Sequence, residues 1–465
     1  MAVSYVFLAL FLVIIGYLVR FVYVDGDTYR NNAYNNKRLA LLEDKYARGD
    51  IVAADGTVLA TTNVDEDGTE TRVYPLSEVF AHVVGYRYNG VTGLESLAGS
   101  YLLDSHENPA LRIIESLRGI KTRGDTVHTT LDVGLQQAAY NALDGRSGAI
   151  VVMEPATGKV LAMVSEPDFD PNTLEDDWDW LVDEESDNSN LVNRATQGLY
   201  APGSTFKVLT TLEFMREYPG SWQKFSFDCD SAYESGDEII RCSHGIAHGE
   251  ENITEAFAQS CNGAFANIGE QLNFAKFHEL CQEAGFNRKT ASRVPMAASQ
   301  FVLDNNNSEW KVLQTAIGQG ETQMTPFLNC MIAAAVANDG KMMNPYLIES
   351  VLSRYGDKVA SFGPETMTEL MSKEEAAQIG AMMRAVVTDG TGDEAAGDGY
   401  KAYGKTGSAE INKDSDTHAW FIGYAEDDND PSRKIAVSVI VEQGGSGGSV
   451  AAPLAKKVFR AYFGE

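Results

Sequence analysis

The sequence predicts an α+β fold built on an antiparallel sheet, and two patterns along the chain lead to that prediction. After Pro202-Gly203, apolar residues recur at helical spacings of four and three, as at Val208, Leu212 and Met215. Towards the C-terminus, segments rich in alternating apolar residues indicate strands at Ala402–Ile411, His418–Ala425 and Ile435–Val441. Helices that precede a run of adjacent strands are typical of an α+β domain.

The composition limits the class of protein. With 66 Asp and Glu residues against 37 Lys and Arg, the 465-residue chain carries a net charge of −29. This charge argues against a nucleic-acid partner, because such a role needs a basic surface to neutralise phosphates. The length suits two or three domains of roughly 150 residues, and 44% apolar residues provide material for a sizeable core. Five cysteines are too few for a disulfide scaffold.

The first 24 residues form the most apolar segment of the chain. No charge occurs from Ala2 to Val19, and after Arg20 the apolar run continues through Phe21–Val24. A bilayer-spanning helix needs about 20 apolar residues, so residues 1–24 are predicted to be a membrane anchor. A cleaved signal peptide is the alternative, which the lack of a basic n-region and of an A-x-A site disfavours. The nearby basic residues all follow Val19, so the positive-inside rule alone would leave the C-terminal bulk in the cytoplasm.

The middle of the chain contains hairpin, loop and helix signals in turn. Arg48–Ala60 predicts two short strands around Asp55-Gly56, and a second hairpin is predicted from Ala149–Met153 and Val160–Ser165. Glu175–Asp187 holds eight carboxylates and no basic residue, which indicates a solvated surface loop rather than a metal site. Further helical periodicity occurs at Ala256–Leu272 and Thr325–Asn338, and a last helix follows the glycine-rich segment 444–448.

Three tetrapeptides match S-x-x-K, at Ser204–Lys207, Ser221–Lys224 and Ser308–Lys311. Of the three serines, only Ser204 combines a preceding Pro-Gly turn with a following apolar helix, where free N–H groups and the positive dipole end favour a developing oxyanion. Lys207 lies one helical turn further on, within reach of the serine oxygen. A capping serine with a surface lysine is the alternative for any single match.

Two later segments provide the partners that a serine nucleophile with a lysine base would need. The lysine must be neutral to act as a base, so burial or a nearby cation has to depress its pKa. Lys405, in Lys405-Thr406-Gly407-Ser408, is the candidate cation. Ser260-Cys261-Asn262 falls between two helical stretches, so that Ser260 could relay a proton and Asn262 could hold an amide carbonyl.

The order S-x-x-K, S-x-N and K-T-G resembles that of the penicillin-binding proteins and serine β-lactamases. The sequence around the motifs is similar to that of class B penicillin-binding proteins at Asn193–Ala195, Tyr200–Lys207, Gly318–Gly320, Thr325-Pro326, Asp389–Gly392 and Lys405–Glu410. Upstream, Arg48–Ile51 and Gly93–Glu95 resemble the N-terminal module of that family. Ser408 stands where threonine is usual in the family, and the hydroxyl is kept.

The resemblance implies a penicillin-binding-protein and serine-β-lactamase-like transpeptidase fold over residues 125–465. It implies a small, dimerisation-like pedestal module over residues 25–124, behind one transmembrane helix at residues 1–24. The expected location is the bacterial cell membrane, with a single pass and an extracytoplasmic catalytic domain, against the charge bias around the anchor. The stretch before the transpeptidase domain is too short for the glycosyltransferase domain of class A enzymes. A polytopic membrane glycosyltransferase is therefore the expected partner.

The resemblance further implies a peptidoglycan D,D-transpeptidase that cross-links stem peptides ending in D-Ala-D-Ala and is acylated by β-lactams. Ser204 would be the nucleophile, Lys207 its general base, and Ser260 the donor of a proton to the leaving amine. The backbone N–H groups of Ser204 and Ser408 would form the oxyanion hole. No cofactor is expected. The residues expected to bind substrate are Asn262, Lys405, Thr406, Gly407 and Ser408.

Three alternatives share parts of this pattern. A D,D-carboxypeptidase or β-lactamase-type hydrolase would deacylate the same ester with water, and no deacylating carboxylate is evident in the sequence. A membrane-bound penicillin sensor would need an attached signalling domain. A catalytically minor scaffold for cell-wall assembly would be expected to lose motif residues, and none is lost.

A last cluster of cysteines and histidines precedes the S-x-N motif. Zinc would suit the side chains of Cys229, Cys242, His244 and His248. A disulfide between the two cysteines and a set of free thiols are the other two interpretations. The remaining cysteines are predicted to be packing residues, and these are Cys261, Cys281 and Cys330.

Overall fold

The structure is a computed structural model of the chain. It describes residues 2–20, 42–43, 45–65, 67–107, 117, 121–183, 185, 188–288, 292–304, 307–411 and 415–464. Residues 21–24 of the predicted anchor, and the first part of the predicted pedestal module up to residue 41, lie outside this range.

The chain forms helices and strands throughout the described residues. The helices are α1 (Ala2–Arg20), α2 (Ser77–Val84), α3 (Gly93–Leu97), α4 (Gly99–Leu102), α5 (Val133–Leu143), α6 (Leu174–Leu181), α7 (Arg194–Gln197), α8 (Lys207–Glu217), α9 (Ile253–Ala258), α10 (Asn262–Gln271), α11 (Phe274–Ala284), α12 (Glu309–Ala316), α13 (Pro326–Ala337), α14 (Lys373–Thr388) and α15 (Ala452–Phe463). The strands are β1 (Tyr46–Ala47), β2 (Ile51–Val52), β3 (Val58–Val64), β4 (Glu70–Val73), β5 (Thr122–Arg123), β6 (Thr126–Thr129), β7 (Gly148–Met153), β8 (Val160–Glu166), β9 (Ser226–Cys229), β10 (Ala232–Ser235), β11 (Glu238–Arg241), β12 (Gly249–Asn252), β13 (Lys341–Met343), β14 (Ile348–Leu352), β15 (Lys358–Ser361), β16 (Thr366–Glu369), β17 (Tyr400–Ala409), β18 (His418–Asp427) and β19 (Lys434–Val441).

The chain divides into two compact units, of which the smaller comprises the described residues within 1–76, 83–129 and 348–361. Its sheet has the strand order β15-β14-β6-β2-β3-β4. The predicted hairpin around Asp55-Gly56 is confirmed as β2 and β3, and Gly56 takes a positive φ of 88° in the turn. Glu95 is fully buried and pairs with Arg48 and Arg72, so the two N-terminal segments quoted above are joined by ion pairs.

The larger unit is built around the sheet β17-β18-β19-β7-β8, in which every pair is antiparallel. The predicted hairpin becomes β7 and β8, and the three predicted C-terminal strands become β17, β18 and β19. Helices α5 and α15 pack together against one face, where their apolar side chains share a core with alternate sheet residues. Helix α13, buried along its whole length, packs against β19 and β7. The antiparallel sheet with helices that the sequence predicts is therefore present.

The acidic segment Glu175–Asp187 differs from its prediction as a surface loop. The acidic segment is partly helical instead of a loop, because Glu175, Asp176 and Asp177 lie in the first turn of α6, where the helix dipole favours negative charge, while Leu174 and Leu181 are buried.

At the N-terminus, α1 covers most of the predicted anchor. Within the part of the chain that the structure describes, no helix has the length and apolar character needed to cross a membrane.

Candidate active site

Ser204 lies in a tight turn immediately before helix α8. The turn is a 3₁₀ segment, Gly203–Phe206, so the α-helix itself begins at Lys207 and not at the serine. Gly203 adopts a φ of +55°, and its N–H donates to the carbonyl of Gly318 at 2.8 Å. A Cβ on Gly318 would lie 1.9 Å from the Gly203 oxygen, so the approach of the two backbones requires glycine there. These contacts fix the backbone that presents Ser204.

Lys207 is buried beneath the turn. Its side chain has no solvent exposure, and Nζ donates to the carbonyl of Ser260 at 2.8 Å and to Asn262 Oδ1 at 2.9 Å. Nζ also lies 5.0 Å from the ring centroid of Phe265. Burial lowers the pKa of Lys207 to about 8. Both side chains are described, and no hydrogen bond joins Lys207 to Ser204.

Ser260 links the two lysines of the site. It lies between α9 and α10 with a left-handed φ of 59°. The helical periodicity predicted over Ala256–Leu272 is therefore interrupted at Ser260, in agreement with the predicted position of S-x-N between two helical stretches. Its Oγ accepts hydrogen bonds from Lys405 Nζ at 2.8 Å and from Lys207 Nζ at 3.4 Å. Asn262 begins α10, accepts from Lys207 and donates through Nδ2 to the Arg241 carbonyl at 3.1 Å.

Lys405 belongs to strand β17 and is as deeply buried as Lys207. Its Nζ donates to Ser260 Oγ and to the carbonyl of Thr406 and lies 5.6 Å from the ring centroid of Phe257. Burial, and secondly the charge of Lys207, hold the pKa of Lys405 well below its ordinary value. Because the side chain has no exposed surface, Lys405 lies below the cleft and does not itself line it.

The rest of the K-T-G segment runs past Ser204. A Cβ on Gly407 would lie 3.3 Å from the Ser204 nitrogen and 3.2 Å from the Pro202 oxygen, so the strand and the turn are in close contact. Ser408 Oγ accepts from the N–H of Gly447, and Thr406 Oγ1 is 2.5 Å from Thr391 Oγ1. A cavity of about 550 Å³ is lined by residues of all three motifs, which are Ser204, Ser260, Asn262, Thr406, Gly407 and Ser408.

The structure also identifies residues to which the sequence assigned no role. Gln319 Nε2 donates to the carbonyl of Ser408 at 3.1 Å, and Gln319 Oε1 accepts from the N–H of Glu410. Thr391 contacts Thr406 as described above. Both residues lie in segments that carry the family resemblance, and that resemblance was the only sequence signal for them.

The cysteine and histidine cluster differs in membership from the predicted set. Cys229, Cys242 and His248 come together with Cys261, whereas His244 is exposed and does not belong to the group. All five cysteines are free and buried, so Cys229 and Cys242 are not joined by a disulfide. Cys281 and Cys330 are core residues, as predicted.

Comparison with known proteins identifies similar sequences over most of the chain. Residues 148–460 match the penicillin binding protein transpeptidase domain, and residues 48–127 match the penicillin binding protein A dimerisation domain. The peptidoglycan D,D-transpeptidase PbpA of Mycolicibacterium smegmatis is 32% identical over 455 residues, which cover 92% of this chain and 91% of that protein. The peptidoglycan D,D-transpeptidase MrdA of Acinetobacter baumannii is 29% identical, over 84% of this chain and 65% of that protein.

Solved structures with the same fold include acylated forms. The D,D-transpeptidase domain of a peptidoglycan glycosyltransferase from Eggerthella lenta superposes with a TM-score of 0.80 and 31% identity, covering 90% of this chain and 98% of that one. The ceftriaxone acyl-enzyme of penicillin-binding protein A from Mycobacterium tuberculosis superposes with a TM-score of 0.81 and 29% identity, covering 90% and 99%.

Proposed function

The chain belongs to the class B penicillin-binding proteins, and from this membership we propose that it is a peptidoglycan D,D-transpeptidase that works through an acyl-enzyme on Ser204. The observation that carries the proposal is the convergence of the three motifs on one cleft. Ser204 and Ser260 line that cleft, and the two lysines that could move protons are buried directly beneath Ser260.

In the acylation step, Ser204 Oγ attacks the carbonyl of the penultimate D-Ala and transfers its proton to Lys207. A lysine with a pKa of about 8 is neutral in roughly one-tenth of molecules at pH 7, so the base is available without a second activating group. Catalytic hydrogen bonds often tighten only when substrate binds, and the Ser204–Lys207 contact is expected to form at that stage. The N–H groups of Ser204 and Ser408 would stabilise the oxyanion.

The leaving group is the terminal D-Ala, whose amine must gain a proton as the C–N bond breaks. Ser260 Oγ can supply it, because this oxygen is hydrogen bonded to both Lys207 and Lys405 and can be reprotonated from either. Once Lys207 has reprotonated Ser260 and is neutral again, an acceptor amine from a neighbouring strand attacks the ester and loses its proton to Lys207. Lys207 returns a proton to Ser204 Oγ as the ester C–O bond breaks, which frees Ser204 and leaves a new cross-link.

Recognition of the substrate carboxylate is assigned to the hydroxyls of Thr406 and Ser408, which line the cleft. Gly407 lets the strand pass the nucleophile, and Asn262 orients the substrate amide. A bound carboxylate would raise the pKa of the buried Lys405 and so favour its charged form, which strengthens the hydrogen bonds to the anion. Because the chain as a whole is negatively charged, an anionic peptide terminus would be attracted to this site in preference to the rest of the surface.

We further infer that the N-terminal segment anchors the protein in the bacterial cell membrane by a single pass, with the catalytic unit outside the cytoplasm. Apart from Ala9 and Gly16, the side chains of α1 between Tyr5 and Leu18 are large, apolar and solvent-exposed, and the sequence continues with the apolar residues Phe21–Val24. Residues 25–124 would serve as a pedestal module before the transpeptidase domain at 125–465, and a polytopic membrane glycosyltransferase would supply the glycan strands. Protease protection in vesicles tests the topology.

The assay for the proposed reaction is labelling by a fluorescent penicillin, followed by denaturing gel electrophoresis. The wild-type protein should be labelled stably, and Ser204→Ala should not be labelled. Ser308→Ala is the matched control, because Ser308 also begins an S-x-x-K sequence but caps helix α12. Labelling of Ser204→Ala would contradict the assignment of the nucleophile. Rapid loss of label from the wild type would instead indicate a hydrolase of the carboxypeptidase or β-lactamase type.

A further inference from the structure

A positively charged side chain lines the cleft and has no role in the reaction described above. Arg241 is the last residue of strand β11, and its exposed side chain lines the same cavity of about 550 Å³ as Ser204. Among the described residues that line this cavity, Arg241 is the one arginine or lysine, because Lys207 and Lys405 are buried below it. A guanidinium keeps its charge at every working pH, so Arg241 gives this wall of the cleft a permanent positive charge.

The guanidinium group of Arg241 has no partner among the described residues. Asn262 contacts Arg241 through the main-chain oxygen of the arginine, and none of the described carboxylates or aromatic rings contacts the guanidinium. An arginine presents a rigid fork of N–H donors, which matches a carboxylate in two parallel hydrogen bonds. The group is therefore available to an anion that enters the cleft.

The main chain of Arg241 is fixed beside the S-x-N motif. Asn262 Nδ2 donates a hydrogen bond to the carbonyl oxygen of Arg241 at 3.1 Å. The hairpin of β10 and β11 is held on α10 by Tyr233, whose hydroxyl donates to Glu270 at 2.7 Å and accepts from Asn267 at 3.1 Å. The arginine side chain therefore starts from a defined position next to the carboxamide that is proposed to orient the substrate.

Different residues serve the two sides of the scissile bond in the proposed reaction. Thr406 and Ser408 are assigned to the carboxylate of the leaving D-Ala, and Asn262 is assigned to the amide on the acyl side. Because the hydrogen bond from Asn262 joins Arg241 to that residue, the arginine side chain belongs to the acyl side. A carboxylate carried by the acyl part of the stem peptide would come within its reach, and this group is distinct from the terminal carboxylate.

We propose that Arg241 binds a carboxylate on the acyl side of the scissile bond and so selects donor peptides that carry an acidic group upstream of D-Ala-D-Ala. The inference rests on the proposed transpeptidase function, since it assigns a ligand to a side chain of that cleft. Glu410 also lines the cavity and repels a carboxylate, so the attraction is confined to the wall that Arg241 forms. The net charge of −29 disfavours binding of an anion over the rest of the surface.

Two penicillins that differ by one carboxylate test the proposal on the full-length protein in detergent. Carbenicillin is benzylpenicillin with an added carboxylate on the acyl side chain, and both share the ring carboxylate that stands in for the peptide terminus. Their acylation rate constants are measured by competition with a fluorescent penicillin. Arg241→Gln should slow acylation by carbenicillin about three- to tenfold more than acylation by benzylpenicillin. Arg241→Lys should restore most of this difference, and high salt should reduce it in the wild type.

Lys401→Gln is the matched control, because it removes one positive charge from an exposed position of β17 that does not line the cavity. This variant should keep the wild-type ratio of the two rate constants. The same ratio in Arg241→Gln would overturn the proposal. Equal slowing of both penicillins by Arg241→Gln would also overturn it, since the effect would then lie on the shared carboxylate or on Asn262. A wild type that benzylpenicillin does not acylate would instead contradict the proposed function, so the two failures are distinguishable.

Discussion

Replacing Lys207 by arginine separates the charge of this residue from its basicity. The ε-amino group is fully buried, is held by Ser260 and Asn262, and has a pKa of about 8. Roughly one-tenth of molecules therefore carry a neutral amine at pH 7, whereas a guanidinium with a pKa above about 12 leaves less than about 10⁻⁵ neutral. General base catalysis typically contributes about 10²–10⁴ in rate, so acylation by Lys207→Arg should fall by about 10³-fold or more.

The assay is the second-order rate constant of acylation by a fluorescent penicillin, measured from pH 6 to pH 10. The wild-type rate should rise about tenfold per pH unit below about 8 and level off above it, since deprotonation of Lys207 creates the base. Lys311→Arg is the matched control: Lys311 ends another S-x-x-K sequence but pairs with Glu321 at the surface, and its variant should behave as wild type. Acylation by Lys207→Arg within tenfold of wild type would refute the role of Lys207 as base.

Three further predictions follow from named contacts. Ser260→Ala removes the oxygen that both lysines contact, so acylation should slow by about 10²-fold, and an unchanged rate would contradict the proton relay. The free energy of unfolding, measured in urea, should fall by about 1–3 kcal/mol, because buried Lys405 loses one of its hydrogen-bond acceptors. Gly407→Ala places a Cβ 3.3 Å from the Ser204 nitrogen and should reduce the acylation rate by about tenfold or more. Unchanged acylation kinetics would contradict this prediction, because they would show that the strand accommodates the added methyl group. Burial lowers the pKa of His82 to about 4, so the unfolded state binds more protons between pH 4 and 6.5. The contribution of His82 to stability should therefore fall by up to about 3 kcal/mol as the pH drops through that window. It is measured as the difference in unfolding free energy between the wild type and His82→Gln, and a difference that does not change with pH would contradict this origin.

Local patterns were sufficient to predict the motifs and most of the strands and helices around them. The Pro-Gly turn before Ser204 distinguished it from Ser308, which the structure shows as the N-cap of α12. Alternating apolar residues located β17, β18 and β19, because side chains of a buried strand repeat every two residues. The acidic segment was predicted to be a loop because its apolar residues gave no helical pattern. The carboxylates in the first turn of α6 interact favourably with the helix dipole, and apolar spacing does not reveal this interaction.

Contacts between distant segments were decided only by the tertiary structure. The pairing of β19 with β7 joins residues almost 300 positions apart, as at Val441 and Gly148. Proximity in the sequence also placed His244 in the candidate metal set, whereas folding brings Cys261 there instead.

The sequence by itself determined which chemical groups the protein carries and their order: a serine with a lysine one turn away, a second serine with an amide, and a lysine on a strand. The tertiary structure decided that both lysines are buried against Ser260 and that Thr406 and Ser408, not Lys405, line the cleft. The physical reason is that spacing along a helix or strand is set locally, whereas burial, and with it the pKa of each lysine, depends on packing between segments far apart in the chain.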